Sequence, residues 1–223
     1  MRNIFVFLFC LIVISYNHSW GVTGIDAKWE KVRGGKGVVV FAADVPGKDV
    51  VAFRGETTIN APIKKLVAAL YDIKRKPEWM HELQKVRVIR NSGQKERIEH
   101  YHSKTPWPLD DRDFVYKVRF NLSEDKKKFV LYLKNYIDTS VPSIDGVVRG
   151  RLYESYYVLN SIKNGLSTKV TLEVLADPMG LVPKWLVNLF QRMWPINTLD
   201  GLRTLMEDAD FQVDPFVENI FNN

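Results

Sequence analysis

Between Val86 and Ala176 the chain runs through six successive β-forming segments without a helical period, and after Pro183 it offers one long amphipathic helix. The segments are Val86 to Arg90, Arg97 to Ser103, Phe114 to Asn121, Phe129 to Ile137, Val147 to Asn160 and Thr168 to Ala176. Each is rich in β-branched or aromatic residues, and turn chemistry such as Asn91-Ser92-Gly93 or Asn164-Gly165 bounds them. Links this short join antiparallel neighbours, because a parallel crossover needs a dozen residues or more. Phe114, Tyr116, Val118 and Phe120 alternate with Lys117, Arg119 and Asn121, so this part of the sheet presents one apolar and one wet face.

A hairpin opens the domain, from Gly37 to Phe41 and Val50 to Ile59 around the turn Val45-Pro46-Gly47-Lys48. Asn60-Ala61-Pro62 then supplies a cap and an N1 proline for a helix from Ile63 to Tyr71, whose Ile63, Leu66, Val67 and Leu70 share a face. A broken segment, Lys74 to Leu83, leads into the strands. The last helix carries a broad stripe that includes Trp185, Leu186, Leu189, Phe190, Met193, Ile196, Leu199, Leu202 and Leu205. Pro195 lies inside it, removes a backbone donor and is expected to kink the helix or divide it. The order is that of an α+β fold, a curved antiparallel sheet wrapped around a long C-terminal helix. No internal repeat or Pro/Gly/Ser linker divides it, so a single domain is expected over 25–210, with 211–223 as a tail.

Met1-Arg2-Asn3, the apolar run from Ile4 to Ile14 and the polar stretch from Ser15 to Gly21 follow the order of a cleavable secretory signal, and the apolar run is too short to span a membrane. Residues 1–21 are therefore read as a signal peptide, with an uncleaved anchor as the alternative, and the protein as secreted or periplasmic. Cleavage before Val22 removes the only cysteine, Cys10, and with it thiol chemistry, cysteine-held zinc and disulfides. The net charge of +6 is evenly spread. It suits weak attraction to an anionic surface and makes no case for nucleic acid.

Thr105-Pro106-Trp107-Pro108-Leu109-Asp110-Asp111-Arg112-Asp113-Phe114-Val115 resembles the loop and following strand of START domains, the lipid-transfer domains related to steroidogenic acute regulatory protein. Asp177-Pro178-Met179-Gly180-Leu181-Val182-Pro183-Lys184-Trp185-Leu186-Val187-Asn188 resembles that family's entry into its C-terminal helix. Pro77-Glu78-Trp79 and Val148-Arg149-Gly150 are weaker matches, in family order. The resemblance implies a helix-grip fold whose sheet and helix enclose a tunnel for one lipid-like molecule, held by a monomer in transient contact with a membrane. Related helix-grip proteins include cyclases and hydrolases, so an enzyme acting on a hydrophobic substrate is the alternative to a non-catalytic carrier.

Trp79, Tyr101, Trp107, Arg112, Phe114, Tyr116, Trp185, Leu189 and Met193 are the candidate cavity or lid residues. Concave apolar sites with a few polar groups are the usual places for small molecules. Arg112 shares strand parity with Phe114, so it either meets a ligand head group or locks the loop through Asp113, Asp111 or a backbone carbonyl. Glu78 and Arg97 form a second candidate polar pair. Trp107, between two prolines, suits either insertion at a membrane interface or packing on the terminal helix. The loop 103–111 and the helix entry 181–193 are the candidate lid. His100 and His102 share a strand face, but no carboxylate stands at a fixed ligand spacing. No nucleophile elbow, phosphate loop or dinucleotide fingerprint occurs, so no metal, cofactor or catalytic residue is assigned.

Overall fold

The computed structural model describes residues 25–223 apart from Gln94 and Pro108; the side chains of 184–186 and 188–191 also lie outside the described residues. The segment 1–21, expected above to be a signal peptide, lies outside them as well.

Ten strands form one sheet: β1 (Glu30–Gly35), β2 (Val38–Asp44), β3 (Val51–Ile59), β4 (Leu83–Asn91), β5 (Glu96–Ser103), β6 (Asp111–Leu122), β7 (Lys128–Asn135), β8 (Val147–Arg149), β9 (Arg151–Ile162) and β10 (Ser167–Asp177). Their spatial order is β1-β2-β3-β10-β9-β7-β6-β5-β4, all antiparallel, with β8 pairing β6 in parallel off this path. The sheet is curved and not closed. Among the described residues four α-helices accompany it: α1 (Ile63–Tyr71), α2 (Lys76–Trp79), α3 (Lys184–Glu207) and α4 (Pro215–Asn222). Among the described residues no helix is long and apolar enough to cross a membrane.

The concave face of the sheet grips α3. Ile196, Leu199 and Leu202 are buried there with Val38, Val40, Phe53, Leu159, Val170 and Leu172. α1 buries the predicted Ile63, Leu66, Val67 and Leu70 in the same core. Pro62 occupies the N-cap and not N1, and no side chain caps the helix. Asn60 accepts instead from the Ser167 hydroxyl at 3.1 Å.

Three further expectations are corrected. Of the kink or division expected at Pro195, the division does not occur: the last helix runs unbroken from Lys184 to Glu207. Proline lacks the N–H that would tie the preceding turn, but its ring is accommodated because β3 has Gly55 opposite. A Cβ at that position would stand 2.9 Å from the Pro195 Cβ. The segment from Val147 to Asn160 is two strands, because Gly150 passes under the Phe114 ring, where a Cβ would come within 2.2 Å of the ring, and donates to the Asp113 carbonyl at 2.9 Å. Finally, 211–223 is no loose tail. Asp214 caps α4 by accepting from the Phe216 N–H, Val217 is fully buried, and Phe216 stacks on Tyr71 with centroids 4.7 Å apart.

Candidate ligand cavity and its mouth

At one end of the grip a cavity of about 160 Å³ lies between the sheet and α3. Its walls are Tyr101, Phe114, Tyr116, Leu133, Leu152, Ser155, Tyr157, Val174 and Ala176 from the sheet, with Val187 and Trp194 from α3. Strand alternation places most of these on the concave face. Leu152 and Ser155 both face inward because the β9–β10 register slips between Leu175 and Ala176, and the extra residue resets the parity. The mouth is edged by Lys104, Thr105, Pro106 and Leu109 on one side, by Pro178 and Val182 on another, and by Met80, His81 and Glu82.

Arg112 ties two of these edges together. Its guanidinium donates to the Asp110 carbonyl in the first loop and to the carbonyls of Pro178 and Met179 in the segment before α3, both at 3.3 Å. Burial lowers its pKa, opposed by Asp110 and Asp111. The backbone-locking alternative is therefore the one that the geometry displays. The second edge includes two left-handed residues in succession, Met179 at φ 56° and Gly180 at φ 76°; the first is a costly conformation for a residue with a side chain.

Behind the aromatic wall lies a fully buried ionic cluster. Lys76, 1% exposed, donates to Glu99, which is 0% exposed, at 2.9 Å and to the Tyr101 hydroxyl at 2.8 Å. Arg97 and the Tyr101 hydroxyl also donate to Glu99. Burial lowers the Lys76 pKa to about 8 against the pull of Glu99. Burial alone would raise Glu99, but Lys76 and Arg97 outweigh it and hold the carboxyl below its ordinary range. Tyr101 is pushed up by burial and by Glu99, and Tyr116 by burial.

Four of the nine sequence candidates, Tyr101, Arg112, Phe114 and Tyr116, come together on the cavity wall. Trp79 is buried one layer away, edge-on to Tyr157 with centroids 6.4 Å apart, and does not line it. Trp107 is 92% exposed beside the mouth and does not pack on α3. Met193 is 37% exposed, while its neighbour Trp194 faces the cavity and donates from Nε1 to the His81 carbonyl at 3.1 Å. The side chains of Trp185 and Leu189 lie outside the described residues.

Glu78 and Arg97 do not pair. Glu78 meets Arg75 at 2.9 Å, and Arg97 turns inward to Glu99. His100 and His102 sit on the convex face, bonded to Asp113 at 2.8 Å and Asp111 at 3.3 Å. Arg149 also grips Asp113 with two bonds, which fastens the parallel pairing of β8 with β6. Among the described residues no group of three or more His, Cys, Asp or Glu is placed to hold a metal. Leu133, Leu152, Val174, Val187 and Trp194 were missed as lining residues. Strand parity from Tyr116 was available for β7, but the slip in β9 and the rotation of α3 have no local signal.

A curved antiparallel sheet gripping one helix over an apolar cavity defines a helix-grip domain. The START domain family model matches residues 21–205, and the chain belongs to that family. It is 30% identical over 190 residues to uncharacterized protein PA1579 of Pseudomonas aeruginosa, covering 84% of this chain and 92% of that one. It is 25% identical to the rat phosphatidylcholine transfer protein over 75% of this chain and 77% of the relative. The fold matches the crystal structure of human STARD10 with a TM-score of 0.74 and 17% identity, over 83% of this chain and 76% of that one.

Proposed function

We propose that the protein is a non-catalytic carrier that takes one membrane lipid into this cavity and moves it between membranes, acting in the periplasm or outside the cell. The observation that carries the reading is the apolar concave wall from Tyr101 to Val174, open at an edge whose two segments are joined through Arg112. The relatives named for lipid transfer support it.

A cavity of about 160 Å³ is on the scale that holds a benzene ring. A lipid tail therefore enters only when the 104–109 loop, the 178–182 segment and the first turns of α3 separate. Each methylene withdrawn from water then contributes roughly 0.8 kcal/mol. In this reading Trp107 and Leu181, 92% and 102% exposed on the two segments, enter the membrane interface during this opening.

The test is native mass spectrometry of protein purified from its own host, followed by transfer of fluorescent phosphatidylcholine between vesicles. Wild type is expected to retain lipid and to transfer it, and Leu152→Trp, which fills the cavity, to do neither while remaining folded. Equal transfer by the filled variant overturns the proposal.

A further inference from the structure

A second cavity of about 360 Å³ lies at the other end of the grip, lined by Leu70, Val118, Phe120, Phe129, Leu131 and Phe216, with Arg97 and Lys95 at its rim. It continues the same concave face: Val118 follows Tyr116 of the first cavity on β6, and Leu131 precedes Leu133 on β7. The Lys76, Glu99 and Tyr101 cluster stands between, with Tyr101 on the first wall and Arg97 on the second. Its volume falls within the range of ordinary small-molecule sites.

Two independent features mark this space as built. It is closed by α4, which lies beyond the residues that the family model matches. α4 is fastened there by the Phe216 stack on Tyr71, the Phe216 edge contact with Phe120, and the Lys64 to Glu218 ion pair at 2.8 Å. The second feature is the polar end. Arg97 lies over the Tyr71 ring and donates from Nε to Glu99 and from Nη2 to the Tyr71 carbonyl, which leaves Nη1 without a protein partner among the described residues. Glu96, the rim carboxylate, is already held by Lys117 and Arg119, and Arg97 shares the single carboxylate of Glu99 with Lys76, so the rim formed by Lys95 and Arg97 carries more positive than negative charge.

We propose that this cavity is a second binding site, for a small amphipathic carboxylate whose apolar body lies among Phe120, Phe129, Leu131 and Phe216 and whose anion meets Arg97 Nη1 and Lys95. A charge-assisted hydrogen bond to a largely buried guanidinium selects a carboxylate over a neutral head of the same length. The site does not depend on lipid carriage in the first cavity.

Decanoate and 1-decanol are the probes, titrated calorimetrically into the full chain at neutral pH, with intermolecular NOEs locating the decanoate tail. Decanoate is expected to bind roughly tenfold more tightly than decanol, with NOEs to the rings of Phe120, Phe129 and Phe216. Lys95→Glu, an exposed change, is expected to weaken decanoate severalfold and leave decanol unaltered. Phe216→Ala is expected to weaken both. Equal affinity for the two probes, absence of decanoate binding, or NOEs confined to Leu152, Tyr157 and Trp194 overturns the second site, and the last of these leaves the carrier reading intact.

Discussion

Removing the carboxylate of Glu99 should cost far more than removing the ammonium of Lys76, although the two groups bond each other. Glu99 is the hub: it accepts from Lys76, Arg97 and the Tyr101 hydroxyl. Glu99→Gln leaves Lys76, 1% exposed, and Arg97, 12% exposed on its side chain, facing a neutral group. Stranding a buried charge in this way costs about 3–5 kcal/mol. Lys76→Met loses the two bonds that Lys76 gives to Glu99 and the Tyr101 hydroxyl but leaves Glu99 with Arg97 and Tyr101 and relieves the desolvation of the amine, so its net cost is set nearer about 1–2 kcal/mol. For a chain of this length each kcal/mol moves Tm by about 2–4 °C. Thermal unfolding followed by circular dichroism should therefore place Glu99→Gln roughly 6–20 °C below wild type and Lys76→Met roughly 2–8 °C below. If Lys76→Met falls as far as Glu99→Gln or further, then Lys76 and not Arg97 is the essential counter-charge, and the hub assignment is wrong.

The same lysine predicts a pH effect. Its folded pKa of about 8 lies below the ordinary 10.5, so between these values the unfolded chain holds more protons at this group and the Lys76 contribution to stability rises with pH, opposed toward pH 10 by the buried tyrosines whose pKa values are raised. Urea midpoints should show this rise in wild type and a smaller one in Lys76→Met; identical slopes would contradict it. Gly201→Ala tests the seat of α3 on α2. The new Cβ would stand 2.3 Å from the Trp79 carbonyl oxygen, and an overpacking cost of about 1–3 kcal/mol exceeds the gain of up to about 1 kcal/mol in helix propensity. Urea denaturation should give a net loss, and a more stable variant would refute the contact. Trp107→Ala should slow vesicle-to-vesicle lipid transfer severalfold with Tm unchanged, since the ring is 92% exposed; an unchanged transfer rate would remove it from the membrane contact.

What could be read from the chain was what strand parity and helix phase encode locally. Phe114, Tyr116, Val118 and Phe120 face the grip as their alternation predicts, and α1 spans the expected residues with the expected face buried. β1 was missed because Glu30 to Gly35 offers a single apolar residue, Val32, and is held only as an edge strand on β2. Met193 stood in for Trp194 because the apolar stripe of α3 is too broad to fix its rotation to within one residue. Trp79 carried the sequence signature of a lining residue, yet it packs beneath α3, a contact made across 122 positions by the absence of a side chain at Gly201. Arg112 could be placed on the right strand, but its partners Pro178 and Met179 lie on a segment more than sixty residues later. The second cavity had no sequence precursor at all, because it exists only where the end of β6, the start of β7 and α4 converge.

The most direct test of the carrier account is photocrosslinking of phosphatidylcholine with a diazirine near the end of one acyl chain, loaded from vesicles, with adducts mapped by peptide mass spectrometry. Adducts on Leu133, Leu152, Tyr157, Val174 or Trp194 are the predicted result. Adducts confined to exposed positions such as Trp107 and Leu181, with none on those five residues, would show that lipid meets only the surface and would contradict the account.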